Sequence, residues 1–309
     1  MASLRRILTL LAASTLVLST AFAADTPAAP ATTPNPNPNA VLVLGAGDKH
    51  NAHGTLTTSA EGVTFESKGH TTKIAAASLS KVTVGSDARE TGGLPMTAAK
   101  MAIPYGGGRV VSLFAHEKFD TLTVEYHDEN GAYHGIVFNL PKGQADSLQT
   151  AIGDVTAKAA PAPMATSAAK SDASGWAIQV EPLNPGDTAI SQGFLVATYE
   201  YLIEKLEKSH KFVAVLRSGD SNAAKYPKLL VLKTDVKKYI AGNEEARAVT
   251  TVKGWAKLGV NMNLTTSDGR AVLDKAVESN VRFYGSNLRA TQTLADSMTN
   301  LASTAPMPN

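Results

Sequence analysis

Between Val249 and Phe283 the chain alternates apolar and polar residues. Val252, Ala256, Leu258, Val260, Met262 and Leu264 share one parity, and Thr251, Lys253, Trp255, Lys257, Asn261 and Asn263 share the other. Strict alternation predicts a strand with one face on a core and one towards water. Asp268-Gly269 separates this run from Ala271 to Phe283. Glycine supplies the positive φ of a tight hairpin turn, so the stretch reads as one long β-hairpin.

Around this hairpin the second half of the chain shows a strand over Trp176 to Leu183, a turn at Asn184-Pro185-Gly186-Asp187, and a helix from about Ser191 to Ser209. Phe194, Leu195, Thr198, Leu202 and Leu206 define the apolar stripe of that helix; Glu200, Glu204, Lys205, Glu207 and Lys208 are expected on its solvated face. Phe212 to Leu216 and Leu229 to Tyr239 read as strands, and a last helix runs from about Asn287 to Leu301. Strands with helices on one face predict a mixed α/β sandwich.

The first half carries short strand patterns: Thr55 to Thr58, Val63 to Ser67, Lys73 to Gly85, Arg109 to Ala115, Leu122 to His127 and Tyr133 to Leu140. Asp128-Glu129-Asn130-Gly131 marks a hairpin turn. A helix from about Gln144 to Ala157 closes the segment with Ala145, Leu148, Ile152 and Val155 on one stripe. The sequence therefore divides into residues 40–158 and 175–302. An Ala/Pro-rich linker over 159–174 joins them, a Pro/Ala-rich tether over 24–39 precedes them, and a short tail over 303–309 follows.

Met1 to Ala23 has the form of a secretory leader: Arg5-Arg6, an apolar run from Ile7 to Thr20, and Ala21-Phe22-Ala23 as a small-x-small cleavage pattern. Cleavage is expected after Ala23, and the destination is periplasmic or secreted. Removing Arg5 and Arg6 takes the net charge of +2 to zero, which leaves no electrostatic case for bulk nucleic-acid binding. There is no cysteine, which excludes disulfides, thiolate metal sites, cysteine nucleophiles and a lipid anchor at a lipobox cysteine.

Candidate chemistry is sparse, and the sequence predicts no catalytic residue, no metal site and no cofactor. Val41-Leu42-Val43-Leu44-Gly45-Ala46-Gly47 starts like a dinucleotide-binding motif, but His50 stands where its third glycine belongs and no amphipathic helix follows. His50-x-x-His53 could hold a metal, though solvated loop histidines fit the pattern better. His127 and His134 flank one hairpin turn as a surface pair. Ser218, Asp220 and His210 lack a nucleophile elbow and oxyanion donors and read as turn formers. Gly106-Gly107-Gly108 reads as a loose loop. Trp255 stands out, because it sits between Lys253 and Lys257 on the polar parity of the long strand. An aromatic among lysines suits a partner-binding patch; the alternative is that a helix or the first segment covers this face.

Two resemblances follow. Residues 50–157, with an early hairpin, an Ile74…Leu79-Ser80-Lys81-Val82-Thr83-Val84-Gly85 strand and a closing helix, resemble bacterial pleckstrin-homology (PH)-like domains. Residues 176–302 are similar to periplasmic domains with the fold of the TolB N-terminal domain and the lipoprotein LpoB, through Val180, Pro182, Leu183, Phe212, Val213, Val215, Leu264, Asp268, Gly269 and Val272. The fold class expected is α+β: a PH-like antiparallel β-barrel closed by one C-terminal helix, then a mixed α/β sandwich with a long β-hairpin. The resemblance implies a non-enzymatic module that binds a cell-envelope protein. It also leaves room for peripheral membrane proximity without a lipid anchor, and for a lipid or small ligand in the barrel mouth.

Overall fold

The computed structural model describes residues 35–45, 47, 50–90, 116–159, 174–242, 255–281 and 289–308. The first seven strands are β1 (Asn35–Leu44), β2 (Ala52–Ser59), β3 (Gly62–Ser67), β4 (His70–Ala75), β5 (Leu79–Glu90), β6 (His116–His127) and β7 (Tyr133–Pro141). They form one antiparallel sheet in the order β4-β3-β2-β1-β7-β6-β5. Helix α1 (Ala145–Lys158) touches β2 and β3 on one side and β5 and β6 on the other, so the sheet curls around it. Leu42, Leu56, Phe65, Leu122, Ile136, Phe138, Leu148 and Ile152 fill the space between. Each such side chain contributes roughly 1.5–3 kcal/mol by leaving water. The sheet ends at β4 and β5, and among the described residues no pairing joins these two edges into a closed barrel.

Two sequence readings change here. The expected single strand Lys73 to Gly85 is two strands, divided by a 3-10 turn at Ala76–Ser78. The break is needed because β4 and β5 are opposite edges of the sheet, so the chain must cross between them. The Val41 run is the end of β1, and the strand β2 follows it. Gly45, at φ 107°, marks a close approach: a Cβ there would lie 2.3 Å from the Gly135 carbonyl oxygen. Its glycine serves packing against β7.

The second sheet comprises β8 (Ala177–Val180), β9 (Val215–Arg217), β10 (Leu229–Ile240), β11 (Ala256–Thr266) and β12 (Ala271–Val281), ordered β12-β11-β10-β8-β9. β8 runs parallel to both neighbours, and the other pairs are antiparallel. Helices α2 (Gln192–Ser209) and α3 (Arg289–Thr304) cover one face. The alternation that predicts the hairpin is realised: Leu258, Val260, Met262 and Leu264 are buried with Leu202, Leu206, Leu294 and Met298. Gly269, at φ 87°, makes the turn between β11 and β12.

Helix α2 is shared between the two sheets. One side packs on α3 and the second sheet; another lies across β5, β6 and β7 on the face turned away from α1. A single apolar cluster therefore joins Val43, Leu44, Tyr133 and Val137 of the first sheet to Leu195, Val196 and Tyr199 of α2 and on to the second sheet. Residues Thr33–Asn309 form one compact unit. This corrects the expected solvated face of α2, because Glu200 is 5% exposed.

Candidate functional site

Trp255 lies immediately before β11 and is 38% exposed. Lys257 follows on the same parity and makes an ion pair with Glu278 of β12. The register explains the pair: Lys257 stands opposite Asn280 and Gly259 opposite Glu278, so Glu278 is the diagonal neighbour of Lys257 on one face. That face continues through Asn261, whose amide donates to Asp274 at 3.0 Å. On β10 it continues to Asp235, which accepts from Asn184 at 2.8 Å. Lys233, Asp235 and Lys237 of β10 also turn this way, opposite the buried Leu232, Thr234 and Val236. Along β10, β11 and β12 the face that α2 and α3 leave uncovered is thus polar, with opposite charges that nearly cancel; at β8 and β9 it carries a small apolar cluster of Ala177, Leu216 and Leu229, packed by Ala223 and Tyr226. Trp255 precedes β11 on the parity of the polar part. Lys253, the third member of the expected patch, lies outside the described residues.

β12 is an edge of this sheet. Lys275 stands opposite Met262, on the helix-covered side of the sheet, and is exposed. A charge turned to that side of an edge strand disfavours addition of another strand.

A second polar assembly was not legible as a site in the sequence. Arg217 at the end of β9 holds Glu200 of α2 through two hydrogen bonds, of 2.7 and 2.8 Å. The Gly135 amide of β7 donates to the same carboxylate at 2.9 Å, and Arg217 also donates to the Tyr133 carbonyl at 3.2 Å. The Tyr133 hydroxyl donates to Glu125 of β6 at 2.8 Å. Backbone bonds extend the contact: Tyr133 N–H to the Ser218 carbonyl at 2.8 Å, and Ser221 N–H to the Asn130 carbonyl at 3.0 Å. At the β1–β2 turn, His50 Nε2 lies 3.2 Å from Glu204 of α2, and its ring meets Tyr201 edge-on. Burial would depress the Arg217 guanidinium, but the hydrogen bonds and charge of Glu200 more than offset this and raise it. Burial, then the Glu125 charge and hydrogen bond, push the Tyr133 phenol far above its usual range. A signal for this joint exists in the sequence. Phe194 to Thr198 is nearly continuous apolar sequence, and Tyr199 and Tyr201 flank Glu200. A helix that is apolar around most of its circumference is buried on more than one side.

The other candidates are dispersed. Ser218 Oγ donates to Glu181 at 2.5 Å. Asp220 caps a 3-10 turn by accepting from the Asn222 amide, and His210 ends α2 in a left-handed conformation. His127 and His134 do not pair with one another: His134 stacks on Tyr126 and lies 3.3 Å from Asp128, while His127 meets Tyr133 edge-on. Among the described residues no cluster of three or more acidic or histidine side chains could hold a metal. Gly106-Gly107-Gly108 lies outside the described residues.

No protein-family model matches the sequence, and no curated protein matches it. Among solved structures, the hypothetical protein CT253 from Chlamydia trachomatis is similar with a TM-score of 0.31 and 8% identity, covering 41% of this chain and 96% of that one. A PelC dodecamer from Paraburkholderia phytofirmans gives a TM-score of 0.32 and 14% identity, covering 46% and 96%. Protein XCC0632 from Xanthomonas campestris, described as DUF330, gives 0.30 and 15%, covering 45% and 89%. Likenesses of this size carry no argument about function.

Proposed function

We propose that the protein is an exported, non-enzymatic component of the cell envelope that binds a partner protein through the uncovered face of its second sheet. The observation that carries this reading is Trp255, 38% exposed at the start of the strand on which that sheet is built. Trp is enriched at interface hot spots, where a large rigid apolar area is buried at small entropic cost. The nearly balanced charges around it suit a protein surface better than a phosphate-rich one. Binding is face-on, because Lys275 guards the β12 edge against strand addition. The first sheet with α1 is, on this reading, a PH-like module whose interior is occupied by its own side chains, Phe65, Phe138, Leu148 and Ile152 among them. That packing weighs against a lipid in the barrel mouth. Export and a periplasmic or secreted location rest on the leader-like start of the sequence.

The test is crosslinking in the native envelope with a photoreactive residue at position 237, an exposed position on the same face, in chains that carry Trp255 or Trp255→Ala. One dominant protein adduct, lost in the alanine variant, supports the reading. A co-purifying lipid with no protein adduct sinks it and favours a ligand carrier. Turnover of ester or glycan substrates would make it an enzyme.

A further inference from the structure

We infer that the contact between the two sheets is a latch: the first half keeps a core of its own, and the Arg217–Glu200 clasp of the second half, closed on the backbone of β7, decides whether the halves stay docked. This goes beyond the binding reading and does not depend on it.

Three observations carry the inference. First, the first half keeps a core that owes nothing to the second. The cluster around Phe65, Phe138 and Ile152 lies wholly within residues 40–152, and only Val43, Leu44, Tyr133 and Val137 of the first sheet join the cluster of Leu232, Met262, Leu294 and Met298 in the second half. The strands of the first sheet all precede residue 142 and those of the second all follow residue 176, so the chain passes between the sheets once. Either sheet can move without unpairing a strand of the other. Secondly, the contact is held at its edge by polar groups with directional demands. Glu200 and Arg217, paired with one another in the second half, both reach β7 of the first: Glu200 accepts from the Gly135 amide at 2.9 Å, and Arg217 donates to the Tyr133 carbonyl at 3.2 Å. Thirdly, the docked state leaves polar atoms in this contact poorly served. Glu125 is 6% exposed. Its Oε1 has no hydrogen-bond partner and lies 3.9 Å from the Lys81 ammonium. The Thr83 hydroxyl, opposite Thr123 on the same face, is likewise buried without a partner. Water entering the joint would satisfy both. Local opening of packed bodies below the cost of global unfolding is a general property of proteins, and a single connection between two cores favours it. Opening would uncover Thr121, Thr123 and Glu125 of the first sheet together with the apolar Val43, Leu44 and Val137, which the second half hides in the docked state.

Amide hydrogen exchange on the full chain tests this. The Tyr133, Gly135 and Ser221 amides bond across the joint, while Leu56 and Phe65 lie in the first core. In the wild-type protein the joint amides are expected to exchange about tenfold or more faster than the core amides, with a weaker dependence on low denaturant. Arg217→Met should speed the joint amides by about tenfold again and leave the core amides unchanged. Joint and core amides that exchange at one rate in the wild type would overturn the latch, as would a variant in which both rise together. Should Arg217→Met fail to fold, the wild-type comparison decides alone, and Arg217→Lys, which keeps the charge but cannot bond both Glu200 and the Tyr133 carbonyl as the guanidinium does, provides the milder variant, expected to speed the joint amides alone.

Discussion

Arg217 and Glu200 form a bidentate pair, Nη1 to Oε1 at 2.7 Å and Nη2 to Oε2 at 2.8 Å, with side chains 19% and 5% exposed. The pair joins β9 to α2, and α2 lies between the two sheets. A planar guanidinium matches a carboxylate at both oxygens, which lysine cannot do. Removing one partner leaves the other charge buried. Arg217→Ala should therefore cost about 3–5 kcal/mol in urea denaturation. Replacing both, as Arg217→Met with Glu200→Leu, should recover most of that loss, since the isolated charge is gone. A double variant as unstable as the single one would show that the guanidinium's bond to the Tyr133 carbonyl matters more than the ion pair.

Gly135 is the backbone partner of the same clasp. A Cβ at this position would lie 2.3 Å from Val196 Cγ1 on α2. Valine is β-branched and cannot swing aside freely. Gly135→Ala should cost about 1–3 kcal/mol as overpacking, and Val196→Ala in the same chain should restore part of it. The two substitutions must therefore be strongly non-additive in a double-mutant cycle. Additive effects would mean that α2 shifts to accommodate the methyl.

Much of the architecture was readable from period and turn chemistry, and the joint was not. The β11–β12 hairpin follows from residues whose burial depends on one sheet, so alternation and Asp268-Gly269 suffice. Helix α1 follows from a single stripe for the same reason. Helix α2 packs on two sides. Its residues 194–203 are buried almost without interruption, and a one-stripe reading places Glu200 in water. What puts Glu200 inside is Arg217, seventeen residues later, together with a backbone amide sixty-five residues earlier. No local periodicity encodes partners at those separations. The outer polar parity of β10, β11 and β12 was legible because among the described residues no helix packs on it, and Trp255 belongs to that part of the pattern.

The acid side of the stability curve should depend on His134. Burial lowers its pKa, and the Arg217 charge lowers it further, against upward pulls from Glu200 and Asp128. The folded state thus binds a proton less readily than the unfolded state, whose histidine titrates near ~6.5. The contribution is favourable above that pH and is lost as pH falls towards the folded value. Between pH 7.5 and 5.5 the wild-type Tm should fall more than that of His134→Gln, measured by thermal melts. Glu207 moves oppositely: burial raises its carboxyl, and its contribution improves on acidification in both proteins, so the comparison between variants isolates the histidine. Equal losses would assign the acid sensitivity to other groups.

At alkaline pH the tyrosines of the joint give a second check. Burial pushes Tyr126 up to about 12, with the charge of Glu200 adding to it, and raises Tyr133 and Tyr199 as well. Unfolded phenols titrate near ~10. Stability should hold up to about that pH and fall above it, because only the unfolded chain releases these protons. Ultraviolet titration of the native protein should show the absorbance of these phenolates appearing only as the far-ultraviolet signal collapses. Full ionisation with the fold intact would mean that the phenols are open to solvent.

Trp255 separates binding from folding. It is exposed, and its neighbour Lys257 is engaged with Glu278. Trp255→Ala should change stability by no more than about 0.5 kcal/mol, as for other exposed substitutions. If the residue anchors a partner, the same change should weaken capture by about 2 kcal/mol, roughly 30-fold. Lys257→Ala probes the surrounding face differently. It breaks a pair whose Glu278 end is half in water, so the stability cost should stay below about 1 kcal/mol. Its effect on capture reports whether the partner reads charge as well as the indole. Binding assays and urea melts on the same two variants settle the assignment. Loss of capture without loss of stability at position 255 places the interface there, whereas parallel losses would make Trp255 part of the packing at the head of β11.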